Sequence, residues 1–216
     1  MPAARTPLGP PVLRGLFHAW AFWLAIPGGV VLFVLAEGSK ARVAAAIFGA
    51  AVAVMFGASG LYHRFSRTEA ARRAFRRLDQ IGIFGLIAGS YTAVGLLVLG
   101  GTSRIVVLAI VWTGAAIGIA TKLYRVDLHV LSGFLYLGLG WVAVIVFPAL
   151  VRDLTTAELT LMVAGGLLYS GGALVLALHR PNPWPRTFGY HEIWHAATIG
   201  AAACLYAAIL SIFLSS

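Results

Sequence analysis

An all-α bundle of seven transmembrane helices is the fold this sequence predicts, and three observations predict it. Of its 216 residues, 60% are hydrophobic and only 11% are charged, with a mean hydropathy of +0.90. A soluble domain carries roughly a quarter charged residues, so this chain cannot present an ordinary water-facing surface. Seven separate apolar runs approach the ~20 residues that cross a hydrocarbon core. Basic residues, finally, are dense in every other inter-span segment. The whole chain, 1–216, reads as a single membrane domain with no soluble module or internal repeat.

Residues 1–15 contain Arg5, Arg14 and four prolines and form a short polar lead. The apolar run after them is too long for a signal peptide, precedes further spans and lacks a small-residue cleavage site. It is therefore read as a retained first span, 16–36. The remaining spans are expected at 43–63, 80–100, 104–121, 129–150, 159–178 and 190–213. Pro27-Gly28-Gly29 is expected to kink the first, and Pro148 to end the fifth. Gly85-x-x-x-Gly89 and Gly114-x-x-x-Gly118 allow close helix approach inside the bundle. The single cysteine, Cys204, excludes an internal disulfide and a cysteine-based metal site, and reads as plain filling of the last span.

With seven spans, the N-terminus and loops 2–3, 4–5 and 6–7 share one side and hold twelve of the sixteen Lys and Arg residues. The positive-inside rule then places the N-terminus in the cytoplasm and the C-terminus outside, in the plasma or inner cell membrane. In a soluble protein the net charge of +9 would suggest nucleic acid. Here it reports topology, and no nucleic-acid partner is expected. In loop 2–3, Ser66-Arg67-Thr68-Glu69 matches a capping box. Behind it Ala71, Ala74, Phe75 and Leu78 share one helical face, and Arg72, Arg73, Arg76 and Arg77 the other. Residues 66–78 therefore read as an amphipathic helix on the inner membrane surface, its arginines against anionic lipid headgroups.

All six histidines, His18, His63, His129, His179, His191 and His195, fall toward that same side. Span 2 ends Ser59-Gly60-Leu61-Tyr62-His63, which puts Ser59 and His63 one turn apart on one face. Span 3 follows Leu78-Asp79-Gln80. Span 7 opens with His191 and His195, again one turn apart. An ionisable group at this depth costs on the order of a few kcal/mol unless it is paired or functional. Three imidazoles around Zn²⁺, with a fourth position open to water, are a known catalytic arrangement. Imidazole suits the setting because it binds a metal without adding negative charge. His18, His129 and His179 read instead as interfacial caps, with His129 near enough to Asp127 to touch the site. Tyr62, Tyr91 and Tyr190 read as packing residues, Trp184 as an interfacial anchor, and Arg125 with Asp127 as a loop ion pair.

His191-Glu192-Ile193-Trp194-His195 is also an HExxH sequence, in which the glutamate would be a protease's general base. That reading needs a third ligand, from His63 or Asp79.

Together, Ala58-Ser59-Gly60-Leu61-Tyr62-His63, Leu78-Asp79 with Ile87-Ala88-Gly89-Ser90-Tyr91-Thr92, and Phe188-Gly189-Tyr190-His191-Glu192-Ile193-Trp194-His195 resemble the hemolysin III family. That family groups with the progestin and adipoQ receptors, including the adiponectin receptors. The resemblance covers nearly the whole chain and implies a zinc site with His63, His191 and His195 as direct ligands. It implies that Asp79 contacts the metal through a bound water, with Ser59 beside it. The family pattern does not require the glutamate, which weakens Glu192 as a base. Gln80 departs from the family, where His often follows the aspartate. The implied chemistry is ceramidase-like hydrolysis of a lipid amide or ester, with Asp79 and Ser59 as the catalytic groups. A zinc staple in a non-enzymatic membrane sensor is the main competitor. A cytolytic pore is disfavoured, because no span carries a regular polar stripe.

Overall fold

Lipid offers no partner to backbone N–H and C=O groups, so each apolar run must satisfy its own by becoming helical. The computed structural model describes residues 11–215, whose regular elements are all helical. They are α1 Leu16–Leu35, α2 Gly38–Phe65, α3 Glu69–Leu97, α4 Gly101–Tyr124, α5 His129–Gly140, α6 Phe147–Asp153, α7 Thr156–Leu178 and α8 Tyr190–Leu214. A 3-10 segment, Trp141–Val146, joins α5 to α6. Seven stretches are long and apolar enough to span a membrane, the fifth being Val130–Asp153. Among the described residues there is no strand, only an isolated bridge between Trp184 and Phe188. Residues 1–10 of the expected polar lead, Arg5 included, lie outside the described residues.

Helix α2 packs between α1 and α3, α7 pairs with α8, and α1 also meets α8. Leu32, Phe48, Ala93 and Ile209 bring α1, α2, α3 and α8 together in one buried cluster. Phe84, Val107, Val111 and Leu139 tie α3 and α4 to the fifth span. A third cluster, with Ala21, Met55, Phe56, Leu86 and Ala202, packs α1, α2, α3 and α8 together. The small residues do their expected service within the chain at three of four positions. Gly89 meets Ala51, Gly114 meets Leu139, and Gly118 lies against the Phe84 ring, where a Cβ would overlap it; Gly85 faces open space.

Two expectations are corrected. Pro148 does not end the fifth span but sits in the first turn of α6, where its missing N–H is tolerated. The break falls earlier, at the 3-10 segment. The Tyr91 hydroxyl donates to the Gly140 carbonyl at 2.7 Å and accepts from the Ala143 N–H at 2.7 Å. Tyr91 thus supplies the partners that the interrupted helix lacks. The basic stretch 66–78 is likewise no separate helix, because α3 runs unbroken from Glu69 to Leu97. No Gly or Pro intervenes between Arg77 and Ile81 to stop it. Its N-cap is Thr68, whose hydroxyl accepts from the Ala71 N–H at 3.2 Å. Ser66 instead donates back to the Tyr62 carbonyl at 2.6 Å. The four arginines therefore ride on the first turns of span 3. Pro27 stays inside a continuous α1.

Candidate metal centre

Antiparallel neighbours bring the C-terminal end of α2 and the N-terminal ends of α1, α3 and α8 to one end of the bundle. There His63 of α2 meets His191 and His195 of α8, one ligand atom from each lying within 4.8 Å of the others. The Nε2 atoms of His63 and His191 are 3.3 Å apart. Two metal–nitrogen bonds of ~2.0–2.1 Å at the tetrahedral angle set their nitrogens about 3.3 Å apart, so this spacing suits a shared ion. The His195 ring centroid is 5.1 Å from that of His63 and 4.7 Å from that of His191. Its Nδ1 is buried without a hydrogen-bond partner among the described residues. The three imidazoles fit a divalent metal ion.

The two predicted catalytic groups lie close by. Ser59, one turn before His63, is buried. Asp79, on α3, lies beside Ser59 and near Tyr136, and is not part of the tight imidazole group. The structure therefore brings together all three predicted ligands and leaves Asp79 one step outside.

His18 is a buried ring partner of His195 rather than the expected interfacial cap. It is 2% exposed and its ring stacks on that of His195, with centroids 3.8 Å apart and planes at 15°. Phe56 backs it at 5.0 Å, and neither ring nitrogen has a partner among the described residues. A histidine at the mouth of a span carries no mark in the sequence of a partner seven helices away. His18 fixes the plane of the His195 ring. Its replacement by alanine is expected to weaken metal affinity by roughly 10-fold or more, as loss of a supporting contact does. Chelator competition measures this, and His18→Phe, which keeps a stacking ring, is expected to recover most of it.

Glu192 has a different task from the one HExxH suggests. It is wholly buried, and its Oε1 accepts from Arg14 Nε at 2.5 Å. Its Oε2 accepts from the Gly189 N–H at 2.8 Å, closing the first turn of α8. Both oxygens are thus committed to holding that turn in place, and the protease reading loses its base. Arg14→Ala would leave a buried carboxylate without its cation, and is expected to cost about 3 kcal/mol of stability. Thermal unfolding in detergent would register it.

Arg14 belongs to a strap, residues 11–15, that reaches the α7–α8 loop and the end of α2. Val12 and Leu13 donate their N–H groups to Arg186 and Thr187 carbonyls at 3.1 and 3.3 Å, and Arg64 reaches the Val12 carbonyl at 3.3 Å. Gly15 has φ +72° and lies against the His63 Cβ, so both backbone conformation and space demand glycine there. Of the other polar residues, Tyr62 and Tyr190 pack against His63 and His179 at 4.5 and 4.7 Å. Arg125 and Asp127 form the expected exposed pair at 3.4 Å. The side chain of His129 lies outside the described residues.

Comparison with known proteins agrees with this architecture. The family model described as "Haemolysin-III related" matches residues 8–206. The chain is 30% identical over 203 residues to the "Hemolysin-3 homolog" of Bacillus subtilis (strain 168), covering 92% of each chain. It is 30% identical to "Hemolysin-3" of Bacillus cereus, covering 92% of this chain and 90% of that one. It is also 28% identical over 198 residues to the "Monocyte to macrophage differentiation factor" of Homo sapiens, covering 89% and 79%.

Proposed function

The chain belongs to the haemolysin-III related family, and from that footing we propose that it is a zinc-dependent hydrolase of lipid amide or ester bonds. In this reading it sits in the plasma or inner cell membrane with its metal centre at the cytoplasmic end. One observation carries the proposal: three imidazoles form a tight group while the nearby carboxylate, Asp79, stands outside it. Three protein ligands with a vacant fourth position are the pattern of catalytic zinc, whereas structural zinc normally takes four.

His63, His191 and His195 would hold the ion, which when bound lowers the pKa of water to about 7 and polarises a carbonyl. Asp79 accepts the proton of the water that adds to the lipid carbonyl, and returns it to the departing amine or alcohol. The C–N or C–O bond breaks, giving a fatty acid and the freed headgroup fragment. Ser59 donates a hydrogen bond to the developing oxyanion. Ser59→Ala is expected to lower kcat about 100-fold with metal content unchanged. Zinc-replete purified protein should turn over at least one member of a panel of ceramides, acyl esters and phospholipids; no turnover of any would overturn the proposal.

A non-enzymatic staple is the second reading, favoured by the fact that the ligands come from two helices, α2 and α8. It requires a fourth protein ligand, and Asp79 would have to move into the group to provide it.

A further inference from the structure

Beside the imidazole group lies a pocket that the proposed chemistry has not used. It has a volume of about 320 Å³ and is lined by Tyr62, Glu69, Arg72, Arg73 and Arg76. That is within the range of small-molecule sites, roughly 300–1,000 Å³. Tyr62 stands on α2 immediately before His63, and the two rings are 4.5 Å apart. The other four residues come from the first two turns of α3. Arg72 is close enough to His63 for its charge to be felt there. The lone carboxylate, Glu69, is engaged by Arg73 at 3.7 Å, so the lining is cationic on balance.

We infer that this pocket takes the phosphate of an anionic membrane lipid and so sets the substrate class of the neighbouring site, an inference that rests on the hydrolase reading. Guanidinium groups match phosphate oxygens in a planar, two-pronged fashion that ammonium groups do not, and Tyr62 adds a hydroxyl donor. The surroundings favour a lipid over a soluble phosphate. Phe65 on α2, about one turn beyond Tyr62 and on its face, is 58% exposed, giving acyl chains an apolar surface to lie against. In a phospholipid the acyl carbonyl is only a few bonds from the phosphate. A headgroup anchored on Arg72 and Arg76 therefore presents its carbonyl toward His63, one residue beyond Tyr62. A topological signal requires only that positive charge be on the inner side. It does not require three arginines to surround one cavity next to a metal group.

The test uses purified, zinc-loaded protein in detergent and probes that cannot be cleaved: dialkyl-ether phosphatidic acid, dialkyl-ether phosphatidylcholine and inorganic phosphate. Binding is read by native mass spectrometry. The ether phosphatidate is expected to bind roughly tenfold or more tightly than the phosphatidylcholine, and Arg72→Gln with Arg76→Gln to remove at least that advantage, since each lost charge-assisted hydrogen bond is worth about a factor of ten. The comparison of lipids on the unaltered protein needs no variant to fold. Equal binding of the two lipids would overturn the inference. Displacement by inorganic phosphate as potent as by the lipid, or a zinc-bearing double variant with undiminished phosphatidate binding, would do the same. Because the ether probes carry no scissile bond, selective binding stands even if no ester lipid is turned over. Turnover of neutral lipids without phosphatidate preference would sink the headgroup inference alone.

Discussion

Alanine at position 191 is expected to empty the metal centre. His191 Nε2 stands 3.3 Å from His63 Nε2, and it is the link between the α2 ligand and the α8 pair. Without it two imidazoles remain, His63 and His195, which cannot make the three-ligand site that holds catalytic zinc. Elemental analysis of the purified protein is expected to fall from about one zinc per chain to about a tenth of that or less. Unfolding should also lose its dependence on added zinc, because an ion that binds only the native state stabilises it by mass action. Wild-type zinc content in His191→Ala would mean the imidazole group is not the metal site. The proposed chemistry would go with it.

The second large effect is expected from Asp79→Asn. The amide keeps the shape of the side chain but cannot take up a proton as a carboxylate does. Removal of a general base costs on the order of 10²–10⁴ in rate. Since Asp79 lies outside the imidazole group, zinc content should stay at the wild-type level. The pair of readings separates the two accounts of the site. Lost turnover with retained zinc supports hydrolysis. Lost zinc would make Asp79 a fourth ligand and turn the centre into the staple of a non-enzymatic protein.

The spans were legible in the sequence because lipid imposes one rule on every residue of a crossing segment, and runs such as 16–36 and 159–178 obey it plainly. Helix bounds moved where polar residues still helix, as in α3, which begins at Glu69 rather than near 80. The spacing of His191 and His195 announced a shared face, and alternation of spans brought His63 to the same depth. What could not be read was which side chains meet across helices. His18 looks like any interfacial histidine until α1 is set against α8. Glu192 sits inside a protease-like motif, and only its contacts with Arg14 and Gly189 show both oxygens taken. The break in the fifth span was also hidden. Pro148 marks its neighbourhood, but the partner that makes the break tolerable, Tyr91, comes from another helix.

The separation of the imidazoles along the polypeptide bears on how such a centre is born. His63 leaves the ribosome 128 residues ahead of His191, and Arg14 emerges 178 residues ahead of Glu192. For most of translation, then, the early helices wait in the bilayer with a histidine and an arginine whose mates do not yet exist. In the proposed zinc protein, metal loading belongs to the last stage of biogenesis, because a nascent chain halted before its final crossing holds only one of the three imidazoles, His63.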